Sequence, residues 1–347
     1  MDESAFDIAI FGSNVPARLL AAALCATHGK RVVLVGEPFS PLRLPAQLHL
    51  SVLPVTRPET WTLLAKAEAE TIALLGGAGV ATALVRTALG FRADLPQTIE
   101  ALGHVRHLAL TYGLEATFSR DGRQLTLGNA VSFAEEMLTP LVDAWLTRLG
   151  VVRLPGADTE FSILKNGSAV LTTGEQLVTA QQIALADDGA LLARLSERER
   201  PALLRVGGAT AVLTSAVRAA SPPILNFLDR GTTLSRRNGG FLVHLEGESE
   251  TEERLGACLA DQPPLHRLAT RRMRRVGTAD GVPIIGWLKT PRLFVVAGLG
   301  SAAAFFAPAL ARLVAGVPTA EEKRWFAARS PNAASRAMVA EFVAGAA

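Results

Sequence analysis

Apolar residues follow several distinct patterns along this chain, and each predicts a different element. The unbroken runs Ile8-Ala-Ile-Phe11 and Val32-Val-Leu-Val35 flank the helix-period segment Arg18-Leu-Leu-Ala-Ala-Ala-Leu-Cys25. Strands buried on both faces read as continuous apolar runs, so residues 1–37 are predicted to be strand, tight turn, helix, strand: one βαβ unit. Residues 38–60 carry Pro38, Pro41, Pro45, Pro54 and Pro58 and cannot be a regular helix. From Thr60 to about Thr87, Trp61, Leu63, Leu64, Ala67, Ile72 and Leu75 make a helical stripe. A second amphipathic helix is predicted over Asn129–Leu149. Its buried side would carry Val131, Phe133, Met137, Leu138, Leu141, Val142 and Trp145. Between the two, His107-Leu-Ala-Leu-Thr-Tyr112 reads as a strand.

The pattern then shortens. Phe161–Leu164, Ala169–Thr172, Gln182–Leu185, Ala211–Thr214, Gly231–Ser235 and Gly240–Leu245 are strand-like, with Asn166-Gly167 and Asn238-Gly239 as hairpin turns. Leu192–Leu204 alternates in charge and reads as exposed, and Glu248–Leu268 reads as helix. The chain closes on Leu293–Ala311, nineteen residues without a charge. That is close to the length of a membrane span, but Gly298, Gly300 and Pro308 punctuate it. A buried strand, a loop and a buried helix are expected instead, with no membrane insertion.

Composition narrows the classes. Apolar residues make up 49% and charged residues 19%, with a net charge of +3, which argues for a folded chain with room for two domains. The densest basic run, Arg271-Arg-Met-Arg-Arg275, has no interleaved aromatics and reads as a strand end mostly facing water, so no nucleic-acid partner is expected. Two cysteines, Cys25 and Cys258, are too few for a disulfide framework. His104 and His107 are the only closely spaced histidines, and no metal site is expected. Asp2 and Glu3 stand where a secretory signal would be basic, so a cytoplasmic protein is expected.

Four stretches carry a resemblance. They are the N-terminal βαβ unit; Asp121-Gly122-Arg123 leading to the helix at Asn129 and Gly150; the hairpin Leu234–Val243; and Arg275-Val-Gly-Thr278-Ala-Asp280-Gly281-Val-Pro283-Ile-Ile-Gly286 followed by Ala297-Gly298-Leu-Gly300. Together they resemble the D-amino-acid oxidase superfamily, which includes glycine oxidase and sarcosine oxidase. The resemblance runs nearly end to end, and the fourth stretch is its specific part. It implies an α/β fold: a Rossmann-like FAD-binding domain (1–80, 125–212 and 275–347) with an inserted antiparallel-sheet substrate domain (81–124 and 213–274).

The resemblance also implies roles. FAD would be held by Gly12, Ser13, Asn14, Ala17 and Glu37 at the first turn, where a helix N-terminus meets pyrophosphate. Gly298, Gly300, Ser301 and Ala302 would present amides to the flavin's pyrimidine edge. Arg275 would grip a substrate carboxylate, with Arg237 or His244 near the substrate. The implied reaction is oxidation of a small amine or amino acid by hydride transfer to the flavin. A homo- or hetero-oligomer is left open.

Several positions depart from the family pattern. Asn14 replaces the middle glycine of Gly-x-Gly-x-x-Gly, Ala17 the last one, and the ribose carboxylate falls on Gly36, with Glu37 one place late. Asp187 and Asp188 add two carboxylates to a strand end that the family keeps small. The family's flavin-covering tyrosine falls near Thr232, its closing histidine on Leu299, and the single tyrosine, Tyr112, reads as core. These departures frame a second hypothesis: a degenerate member, without catalysis, serving as a structural or regulatory subunit. A purely NAD-dependent Rossmann dehydrogenase is disfavoured, because such enzymes lack the 280–300 segment.

Overall fold

The organising element is Phe6–Phe11, a buried strand with a parallel neighbour on each side. It pairs with Val32–Val35 on one side and with Gln176–Leu185 on the other. The first connection is the crossover helix Val15–His28; the second returns only after some 140 residues. The sheet order is Ile284–Trp287, Phe294–Ala297, Gln176–Leu185, Phe6–Phe11, Val32–Val35, Val152–Leu154, with a hairpin (Thr159–Ile163, Ala169–Thr173) added to Gln176–Leu185. The strand order reverses at Phe6–Phe11, which opens a crevice at the carboxyl ends of the strands, where doubly wound folds bind ligands. In this computed structural model residues 6–215, 222–237, 240–247, 251–258, 266–289, 292–333 and 339–343 are described.

The second sheet stands over that crevice. Its order is Arg267–Thr278, Leu204–Thr214, Gly240–Glu246, Thr232–Arg237, Ile224–Phe227, Leu84–Arg92, Gln124–Phe133, His49–Leu50, with Ala116–Phe118 beside Gln124–Phe133. It therefore draws strands from 49–50, 124–133, 204–214 and 267–278 as well as from the segments between. Helix Val15–His28 packs on the parallel sheet, and Glu135–Arg148 and Ala307–Val314 pack on that helix. The largest buried cluster runs without a break from that layer into the second sheet.

Several expected elements differ. The helix expected over Thr60–Thr87 is Pro58–Gly77; it ends before Gly79 (φ 75°), and Leu84–Arg92 is a strand. The strand expected at His107–Tyr112 lies in the helix Pro96–Thr111, whose buried Thr98, Leu102, Val105 and Ala109 keep helical spacing. The helix expected over Asn129–Leu149 begins only at Glu135. Val131 and Phe133 belong to the strand Gln124–Phe133, so Met137 and Leu141 are left exposed. Apolar runs longer than one element hid both boundaries. The helix expected over Glu248–Leu268 is Thr251–Cys258, and Arg267–Thr278 is strand. The turn Asn238-Gly239 lies outside the described residues. Residues 293–311 divide into the strand Phe294–Ala297, the turn Gly300–Ala302 and the helix Ala307–Val314. No helix among the described residues is long and apolar enough to cross a membrane.

A buried ion pair clamps the C-terminal segment to this frame. Arg329 (1% exposed) donates from Nε and Nη2 to the carboxylate of Glu341 (0% exposed) at 2.6–2.9 Å, and its guanidinium lies 3.9 Å from the Trp325 ring centre. Thr60 and Trp325 join the cluster, with Arg57 4.0 Å from Glu341 and Glu59 3.9 Å from Arg329. The Arg329 carbonyl accepts from Ile285 N, and Glu341 N donates to Gly281, a residue of the cleft wall described below. Removing one partner of such a pair leaves an uncompensated buried charge. Glu341→Ala should therefore lower stability by about 3–5 kcal/mol in a denaturant titration. A loss below about 1 kcal/mol would mean that the cluster does not carry the frame.

Candidate functional site

The crevice opens into a cleft of about 1070 Å³, slightly above the usual ~300–1,000 Å³ range of ligand sites. Its floor is made by four strand ends and turns: Phe11–Asn14, Val35–Glu37, Ala186–Gly189 and Ala297–Gly300. Its roof is the edge of the second sheet, with Gly207 and Gly208 on one strand and Arg271, Met273 and Arg275 on the next.

The first turn is held shut by its own side chains. Asn14 caps the helix, accepting from Ala17 N at 3.0 Å, and Pro16 offers no N–H. A Cβ on Gly12 would meet the Ala17 side chain at 2.6 Å, and one on Gly36 would meet the Gly12 carbonyl at 2.4 Å, so both positions require glycine. Arg18, 3% exposed, donates from Nε to Asp143 at 2.8 Å and from its guanidinium to the carbonyls of Ser13 and Glu37. Ser13 Oγ accepts from Glu37 N at 2.8 Å. This framework fixes the geometry of both loops.

The anion-binding features of the cleft are occupied by two adjacent carboxylates. Asp187 Oδ2 accepts from Ser13 N at 2.6 Å, and its carboxylate also accepts from Asn14 N, while Oδ1 caps the next helix at Ala190 N, 2.7 Å away. Burial pushes the Asp187 carboxyl up, against the pull of these three N–H donors and of Arg18. Asp188 pairs with Arg275, Oδ2 to Nε at 3.1 Å, and Arg275 also donates to the Ala46 carbonyl at 3.2 Å. Burial raises the Asp188 carboxyl too; Arg275 opposes this and Asp187 adds to it.

The other sequence-derived positions spread around this centre. Gly12, Ser13, Asn14, Glu37, Gly298 and Gly300 line the cleft, and Ser301 lines a smaller cavity beside it. Ala17 and Ala302 are fully buried beneath their turns. His244 reaches the smaller cavity, with Nε2 3.1 Å from the Pro45 carbonyl. Arg237 pairs with Glu136, outside both linings. At the flavin-covering tyrosine position Thr232 is fully buried; its neighbour Thr233 is the residue that faces the smaller cavity. Tyr112 bonds to Thr62 and Pro58 in the helical layer. Cys25 lies on the first helix and packs against the core, its thiol pushed up to about 11 by burial. No group of three or more metal-ligating side chains occurs among the described residues. Sequence reasoning missed Arg18, Asn226 and Glu246. Asn226, polar within the buried run Ile224–Phe227, carried a readable signal.

The cleft's size, its place at the reversal of strand order and its glycine turns fit FAD. So does the loop after Phe294–Ala297, which lines the cleft at Gly298, Leu299 and Gly300. Asp187 is the feature that opposes it, because its carboxylate stands on the amides that would meet pyrophosphate.

No family model and no curated protein matches the chain. Among solved structures it is similar to an L-amino acid deaminase from Proteus vulgaris lacking its specific insertion sequence, at 14% identity and TM-score 0.72, covering 95% of this chain and 94% of that one. It is also similar to L-proline dehydrogenase from P. horikoshii, at 14% identity and TM-score 0.71, covering 94% and 97%. For glycine oxidase from Geobacillus kaustophilus the values are 17%, 0.70, 92% and 95%. At these identities the likeness is one of fold. The shared architecture is a parallel α/β sheet with a second, mainly antiparallel sheet over its crevice.

The raised Asp187 carboxyl has a stability consequence whose sign is unusual. The folded chain holds this proton to higher pH than the unfolded chain does, so the aspartate's contribution is best at low pH and is lost as pH rises. The window opens near the ordinary value of ~3.9 and extends upward. Relative to Asp187→Asn, the wild type should lose stability as pH climbs from 4 towards 7, measured by urea unfolding. Parallel pH profiles would show that the N–H donors, not burial, control this group.

Proposed function

We propose that this chain is an FAD-dependent oxidoreductase acting on a small amine or amino acid. The observation that carries the reading is the cleft at the reversal of strand order, floored by the glycine turns at Gly12, Gly36 and Gly298 and roofed by Arg275. The chemistry FAD supplies when bound is acceptance of a hydride equivalent from the substrate carbon. Toward it, Gly298–Ser301 offer backbone donors that would stabilise negative charge at the flavin's pyrimidine edge. Glu37 lines the cleft and would take the ribose hydroxyls. Arg275 is the cation available to a substrate carboxylate, with Asp188 holding its place until one arrives. The roof of the second sheet would exclude water and set the orientation of the substrate carbon.

A second reading is favoured by one specific observation. Asp187 and Asp188 satisfy the turn amides and Arg275 from within the chain. A fold member that had given up its cofactor and kept a structural or regulatory role would have such internal partners.

The two readings part on anaerobic titration of the FAD-loaded protein with a panel of amino acids and amines. The enzyme reading expects bleaching of the oxidised flavin spectrum by at least one of them; a flavin that stays oxidised throughout supports the second reading. If the substrate bears a carboxylate, Arg275→Ala should raise its KM by two or more orders of magnitude, since each charge-assisted hydrogen bond lost costs about 1.5–3 kcal/mol. An unchanged KM would remove Arg275 from the substrate site.

A further inference from the structure

We infer that the small cavity between Asn226 and His244 recognises the uncharged amino group of a primary amine. This rests on the reading of the cleft as an amine- or amino-acid-oxidising site, and it assigns the residues that would select the nitrogen end of the substrate. The cavity is about 40 Å³, room for about three water-sized atoms. It shares Glu246, Met273 and Arg275 with the main cleft, so the two spaces adjoin across these side chains.

Two polar atoms of the lining, His244 Nδ1 and Asn226 Oδ1, are unpaired acceptors. His244 Nε2 faces the Pro45 carbonyl, which can only accept, so Nε2 carries the proton. Burial lowers His244 to about 4, leaving the ring neutral, and Nδ1 is then a lone-pair acceptor. That Nδ1 is buried and has no partner, and the same is true of Oδ1 of Asn226, a residue 5% exposed. Across the sheet Asn226 pairs with Thr233 and Thr233 with His244, so all three side chains stand on one face, toward Ser301. Buried acceptors of this kind call for a ligand with at least two N–H or O–H donors.

The local field selects among donors. Arg275, Arg271 and Arg237 all act on His244, and His49 beside it is held neutral, at about 3, by burial and the same surroundings. Glu246, its carboxyl raised by burial, is the acid on the cavity wall, and Arg275 and Arg254 face it. Three guanidinium groups near the cavity disfavour a further cation. A neutral –NH2 group brings two donors for Nδ1 and Oδ1, and its lone pair can accept from the hydroxyl of Thr233 or Ser301. It is also the protonation state from which an amine can give up hydride.

The test is calorimetric titration of the flavin-free full chain with methylamine between pH 7 and 9. Alkylamines titrate near the lysine value of ~10.4, so the free base grows about tenfold per pH unit. The inference expects the apparent affinity to rise in step. Asn226→Leu should weaken binding at least tenfold while keeping or raising Tm, because it removes an unpaired buried acceptor; a residue that merely supported the fold would lower it. In the wild type, methylamine should also move the ¹⁵N resonance of His244 Nδ1, a readout that needs no variant. Absence of binding at any pH means that the cavity holds only water and overturns the inference, as do pH-independent binding and an Asn226→Leu protein that binds like the wild type. Because flavin is absent, these outcomes are separate from failure of the FAD reading, which the spectrum of the loaded protein decides.

Discussion

A backbone N–H at a buried turn must find an acceptor, and at the turn between Phe11 and Val15 that requirement shapes the whole crevice. In nucleotide-binding folds the acceptor is a phosphate. Here it is the carboxylate of Asp187, which joins the first turn to the helix after Gln176–Leu185. The neighbouring Asp188 continues the same device upward, tying the parallel sheet to Arg275 in the roof. Arg18 reinforces it from below by binding Asp143 and the carbonyls of Ser13 and Glu37. Two adjacent aspartates thus bridge the floor and the roof of a cleft large enough for a dinucleotide.

The fold was legible because its strongest signals are local. The apolar runs at 8–11 and 32–35 with a glycine turn between them admit few alternatives, and the glycine-punctuated segment 293–311 resolves as strand, turn and helix. Boundaries were lost where a strand and a helix share one apolar stretch. Val131 and Phe133 fit a helical stripe with Leu138 and Trp145, yet Asn129, at φ 58°, marks the irregular point at which the strand bends. The helix Ala320–Ala328 escaped notice although Thr319 and Glu322 form a capping box, a pattern visible in the chain.

The site was legible in its positions but not in its partners. Asp187 and Asp188 stood out as charges beside a phosphate turn, and sequence alone gives no direction for a side chain. Pairing across 174 residues, from Asp187 to Ser13, is a tertiary fact. The same holds for the row Asn226, Thr233 and His244, whose members come from three strands and meet only through register.

The cleft is large enough for a dinucleotide, and an amide of its first turn already has a carboxylate partner. On the proposed FAD reading, the Asp187 carboxylate and the pyrophosphate of FAD would compete for the same N–H groups. Equilibrium titration of FAD into the wild type and into Asp187→Asn, at one ionic strength, tests this most directly. The account predicts saturable binding that tightens at least tenfold when the charge is removed. Equal affinities, or no binding to either protein, would contradict it.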